Sequence, residues 1–230
     1  MVMDIAGAPE EVLGRMHKKT RQYVRRAEER EGITVRLGGE ADLPAFSELM
    51  RRTARREGFA PRSLEYYQGE WEAFAPADQC ALLLAYHEEQ LIAARTVYRC
   101  GRHAAEFHGG SVTLRGLHPN YLLVWRAIQW ARERGCVTYD LWGIPDEVEA
   151  GADGRPPGAP ERHDGLWGVY RFKRGFGAGV QRYPGAYDLV FKRRLSRLAD
   201  AALVNREVWE RAAAWLDRAA RHTTATGVSS

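Results

Sequence analysis

The chain has 230 residues, 45% of them hydrophobic and 28% charged, enough for a well-buried core and too apolar for global disorder. No apolar run approaches the roughly 18 residues of a membrane span, and the first residues, MVMDIAGAPEEVLGRM, lack the basic-then-apolar order of a secretory leader. Cys80, Cys100 and Cys136 are isolated, which fits reduced thiols and a cytoplasmic protein, and the net charge of +4 permits an anionic partner.

Residues 9–30 read as one basic helix with an apolar seam of Met16, Tyr23, Val24 and Ala27 that could dock a second copy. ITVRL (33–37) reads as a strand. Asp42 is expected to cap a helix running to about Glu57, and Ser63 to cap a third that contains Tyr66, Tyr67, Trp71 and Phe74. CALLLAY (80–86), LIAARTVYR (91–99) and HAAEFHGGS (103–111) form an antiparallel meander with hairpin-length turns. Residues 117–135 are the clearest helix, closed by Gly135, with Trp125 and Trp130 in the core. VTYDLW (137–142) is a strand.

The stretch 143–165 has glycine, proline and charge but no periodicity, as a lid or a disordered loop would. A short helix (166–176) follows, then VQRYP and AYDLVF as last strands. A helix over 193–221 and a frayed tail, 222–230, complete the order. This is an α+β domain with one mixed sheet, arranged as in the GNAT acyltransferase fold. The division expected is an arm with the first strand (1–36), then the main domain (37–221).

Histidines and cysteines do not share ligand spacing, so no metal is expected. RGFGAG (174–179) matches the R-x-x-G-x-G string that wraps a CoA pyrophosphate, but it stands between a helix and a strand, the reverse of what a phosphate loop needs. The place where the fold puts that loop reads GGSVTLRGLHPN, without the pattern. No CoA and no other cofactor is therefore expected.

HGGSVTLRGLHPNYLLVWRAIQWARERGCVTYDLWGI, then GLWGVYRFKRGFG, and before both KKTRQYVRRAEEREGITVR, resembles the Fem family of peptidoglycan-bridge aminoacyltransferases over roughly residues 17–192. The resemblance implies transfer of an amino acid from aminoacyl-tRNA to an amine of a peptidoglycan precursor, or of a related peptide, at the inner membrane face. Typical members carry two GNAT-like domains, and this chain resembles the second. The alternatives are an N-acyltransferase using acyl-CoA or a carrier protein, and a non-catalytic module that binds tRNA or a partner. DNA binding is not expected.

Only four of the 34 basic residues are lysines, so a lysine among arginines points to a need for a compact ammonium. The resemblance assigns Lys173 to the oxyanion of the transfer; otherwise it is an exposed helix residue. Phe172 belongs to the same motif. Arg171 and Arg174 could meet tRNA phosphates. Asp140 and Tyr139 could position or deprotonate the amine, or Asp140 could cap the next turn. Gly110, Ser111, Asn120, Tyr121 and Trp142 line the cleft on this reading, or else end a strand, cap and pack.

Overall fold

The computed structural model describes residues 1–149 and 165–185. All the elements below belong to one compact unit, Met1–Arg182; of a second, Tyr183–Ser230, only residues 183–185 are described. The expected strand 186–191, helix 193–221 and tail lie outside the described residues.

The elements are β1 (Val2–Asp4), α1 (Pro9–Arg15), α2 (Lys18–Glu29), β2 (Ile33–Gly38), α3 (Leu43–Glu57), α4 (Leu64–Phe74), β3 (Cys80–His87), β4 (Gln90–Cys100), β5 (His103–Ser111), α5 (Pro119–Glu133), β6 (Thr138–Asp140) and α6 (Trp167–Gly175). The sheet order is β1-β6-β5-β4-β3-β2. Every pair is antiparallel except β5 and β6. The mixed sheet and the meander match expectation.

β3 is apolar along its length because both faces are covered. Leu82, Leu84 and Ala94 pack with Leu43, Phe46, Leu49 and Met50 of α3 and Tyr67 of α4. Ala81, Leu83, Ala93 and Val97 pack in the other cluster with Val24 and Ala27 of α2 and Leu122, Trp125 and Ile128 of α5. Ser63 caps α4 as expected, its side chain accepting from the Tyr66 amide.

Four local expectations change. The helix expected over 9–30 breaks at Met16 and His17, both extended, because the chain must pass α6: the His17 amide donates to the Gly175 carbonyl at 2.9 Å. Its seam is not free for a second copy, since Met16, Val24 and Ala27 are buried within the chain. Asp42 does not cap α3; its carboxylate is taken by the Arg36 guanidinium (2.6 and 2.9 Å) and the Gly39 amide. VQRYP forms no strand; a single bridge joins Gly179 to Val2. β1 is an element that three residues of ordinary sequence did not announce.

The glycines of RGFGAG serve close approach. A Cβ on Gly175 would meet Thr20 Oγ1 at 2.4 Å, and one on Gly177 (φ +80°) would meet the Arg15 carbonyl oxygen at 2.3 Å. The amides of Phe176, Gly177 and Gly179 donate to the carbonyls of Lys173, Arg174 and Val2, so they are spent on the turn and not on a phosphate. Gly177→Ala combines a backbone clash with a left-handed φ and is expected to cost at least about 2 kcal/mol in urea unfolding.

Candidate active site

The site begins where two strands part. β5 and β6 pair in parallel only through His103↔Thr138, Ala104↔Tyr139 and Ala105↔Asp140. Beyond that, β5 runs on to Ser111 without β6. A cavity of about 620 Å³ opens along this edge, walled by Glu106–Ser111, by Leu141 and Trp142, by Thr53 and Arg56 of α3, and by Phe172 and Lys173 of α6.

Lys173 is 7% exposed, so it is not a surface residue of its helix. Its Nζ donates to the Gly143 carbonyl at 2.7 Å. Burial pushes its pKa down to about 8, opposed by the Glu106 and Asp140 carboxylates and reinforced by Arg95. The group is mostly an ammonium at pH 7 and titrates just above.

Arg95 and Glu106 form a buried pair at 2.5 Å beneath the cavity floor. The Tyr139 hydroxyl completes it, donating to Glu106 at 3.3 Å; burial first, then the Glu106 carboxylate, drives that phenol far above its usual pKa. Among the described residues, Arg95 Nε is the one buried side-chain nitrogen or oxygen without a hydrogen-bond partner. A β-bulge between Arg95 and Val97 lets the guanidinium lie against Gly109, where a Cβ would stand 3.4 Å from its Cζ.

Asp140 holds backbone. Its Oδ1 accepts from the Trp142 amide at 2.8 Å, and the Met1 nitrogen donates to Asp140 Oδ1 (3.3 Å) and to the Trp142 carbonyl (2.8 Å). These bonds fix Trp142 at φ +70°, a conformation that costs a bulky residue roughly 1–3 kcal/mol. Its indole is 49% exposed at the cavity rim, 4.4 Å between centroids from Phe107.

The structure thus brings Gly110, Ser111, Asn120, Trp142, Phe172 and Lys173 to one cavity wall. Asn120 Nδ2 donates to Ser111 Oγ at 3.2 Å, and Gly110 is small because a Cβ would meet Met50 Sδ at 2.9 Å. Five expected residues do not line the cavity. Tyr139 is fully buried and Asp140 is committed to the turn, so the amine contacts expected of them are corrected to framing roles. Tyr121 packs between Tyr23, Phe172 and Phe176. Arg171 and Arg174 leave α6 half-buried on other sides of the helix.

Sequence reasoning missed Arg95 and Glu106 here, and weighed His108 only as a metal ligand. The first two were detectable as charges inside otherwise apolar strands. His108 Nε2 lies 3.0 Å from Glu70 Oε2, which also accepts from the Tyr98 hydroxyl at 2.7 Å. No group of three or more metal-ligating side chains occurs among the described residues.

At the N-terminus of α5 a carboxylate is already in place. Glu31, 7% exposed, accepts from the His118 amide (2.7 Å), contacts the His118 ring (2.6 Å) and pairs with Arg26 Nε (3.0 Å). A helix N-terminus attracts one anion, and here the chain supplies it.

Residues 14–156 match the family model described as the acetyltransferase (GNAT) domain. The chain belongs to that family, and the mixed sheet with its parting strands accords with it. Within it the relatives are of Fem type, in agreement with the resemblance read from the sequence. The chain is 29% identical over 150 residues to the UDP-N-acetylmuramoylpentapeptide-lysine N(6)-alanyltransferase of Weissella viridescens, covering 64% of this chain and 44% of that protein. It is 21% identical over 267 aligned positions to the lipid II:glycine glycyltransferase of Staphylococcus aureus (strain USA300), covering 87% and 60%. The crystal structure of FemX has the same fold, with a TM-score of 0.72 and 19% identity over 86% of this chain and 63% of that one. The chain therefore spans 44% and 60% of the length of these two curated relatives.

Glu106 is the foremost carboxylate supporting the ammonium of Lys173. Glu106→Gln is expected to move the Lys173 titration below about 8. With only four lysines in the chain, NMR of lysine-labelled protein reads that midpoint directly.

Proposed function

We propose that this chain transfers an amino acid from aminoacyl-tRNA to an amine of a peptidoglycan precursor or a related peptide, forming a peptide bond. The observation that carries this reading is Lys173, a buried ammonium with one N–H on the Gly143 carbonyl and two left for a reacting group in the cavity. The tRNA ester is already activated. The amine nitrogen bonds to the ester carbonyl carbon, the bond to the ribose oxygen breaks, and a proton passes from nitrogen to that oxygen. Lys173 donates to the carbonyl oxygen while it carries negative charge. The Glu106 carboxylate, held by Arg95 and Tyr139, favours the charged form of the lysine, and Asn120, Ser111 and Arg56 line the same cavity. The relatives' names support the acceptor class, and the reading implies work at the cytoplasmic face of the membrane, where lipid-linked precursors are met. No helix among the described residues is long and apolar enough to cross a membrane.

The acyl-CoA alternative is disfavoured by Glu31: a pyrophosphate at the N-terminus of α5 would face a buried carboxylate. The non-catalytic alternative leaves the desolvation of Lys173 without a purpose.

Lys173→Met should lower transfer from charged tRNA by about 100-fold or more. Because the folded pKa is depressed, the ammonium opposes folding below about pH 8, and that cost fades as pH rises toward 10.5. The variant should therefore be at least as stable as the parent at pH 7 in thermal unfolding. An oxyanion donor also requires transfer to fall as pH rises through about 8, where a general base would make it rise. Titration calorimetry with CoA should show no saturable heat.

A further inference from the structure

We infer that Trp142, backed by Phe107, is the stacking platform for the terminal base of the donor RNA. The inference rests on the aminoacyl-tRNA reading above and says where that donor docks.

Trp142 is unusual in three respects that converge. Its backbone is left-handed at φ +70°, where a bulky side chain is rarely kept without cause. Both its peptide groups are tied, the amide to Asp140 and the carbonyl to the Met1 nitrogen, and the next carbonyl, that of Gly143, is tied to Lys173. Yet the ring these bonds hold is only half covered, at 49% exposure, and packs at 4.4 Å on Phe107, itself 45% exposed. A side chain fixed this firmly for its own packing would be buried. Here the fixed part is the backbone, and the ring is presented to the cavity.

The covalent structure of the donor selects the occupant. Its ester and its terminal base sit on one ribose, so a base must lie within a sugar's width of the oxyanion that Lys173 holds. Lys173 is bonded to the residue after Trp142, and both side chains line one cavity. Sugars of a muramoyl-peptide acceptor also stack on indole, but they lie across a peptide stem from the reacting amine, at about 3.5 Å per extended residue. Arg56 lines the same cavity, with its guanidinium on Glu57 (2.7 Å) and the Ser111 carbonyl (2.6 Å). Aromatic faces accept bases by stacking.

The test uses the intact chain and an uncharged RNA microhelix ending in CCA, with the same RNA lacking its last A as control. The parent protein should bind the full RNA about tenfold more tightly than the shortened one. Trp142→Ala should lose that difference, Trp142→Phe should keep most of it, and neither should change the KM for the muramoyl-peptide in the transfer assay. Circular dichroism melts confirm that both variants fold. If Trp142→Ala discriminates the two RNAs as the parent does, or raises only the acceptor KM, the platform is refuted while the transfer reading stands. If the parent binds neither RNA, both are overturned.

Discussion

A sheet can hold a cavity at its own level only where two neighbouring strands stop pairing, and here β5 and β6 do so after three residues. The rest of the site follows from that parting. The unpaired edge of β5 carries polar groups that need partners. Lys173 of α6 lines the gap, and Arg56 of α3 donates to the carbonyl of Ser111 at the end of β5. Beneath them the bulge in β4 brings Arg95 to Glu106, so that a floor of paired charge stands where the two clusters beside it are apolar. Such a pair is a weak source of stability in itself. Its use is electrostatic, since it sets the charge state of the lysine above it.

A helix N-terminus left open is a ready site for a phosphate-bearing ligand, and α5 presents its N-terminus after β5. In this chain Glu31 and His118 close it from within. The closure also joins α2 to α5, with Tyr23 stacked at 4.0 Å on the His118 ring. One buried carboxylate thus removes an anion site and knits two helices together.

Much of this was legible from residue order. The meander, α5 and the turn role of the glycines came from periodicity and punctuation, and Lys173 stood out as a lysine in an arginine-rich chain. What was not legible depended on three-dimensional proximity. The break at Met16 and His17 arises because α6, some 160 residues later, passes there. Tyr139 and Asp140 sit at a strand end beside the cleft, yet strand pleat turns Tyr139 inward to Glu106 and turn geometry commits Asp140 to Trp142. The importance of Arg95 and Glu106 was hidden because each is an isolated charge until the ladder register sets them together.

The way α6 is fastened has a consequence for what holds its lysine in position. Its C-terminal end is tied to the front of the chain through Gly175 and His17, and through Gly179 and Val2, while the lysine itself ties back to Gly143. Both anchors lie outside the stretch 144–164. Within it, Val148 is buried in the core and Arg182 donates to the carbonyls of Asp146 and Val148, so residues 144–149 belong to the fixed frame around the lysine. The ammonium is thus seated by backbone at three places in the chain order, residues 2, 17 and 143, and its position is a property of the whole frame and not of its own helix.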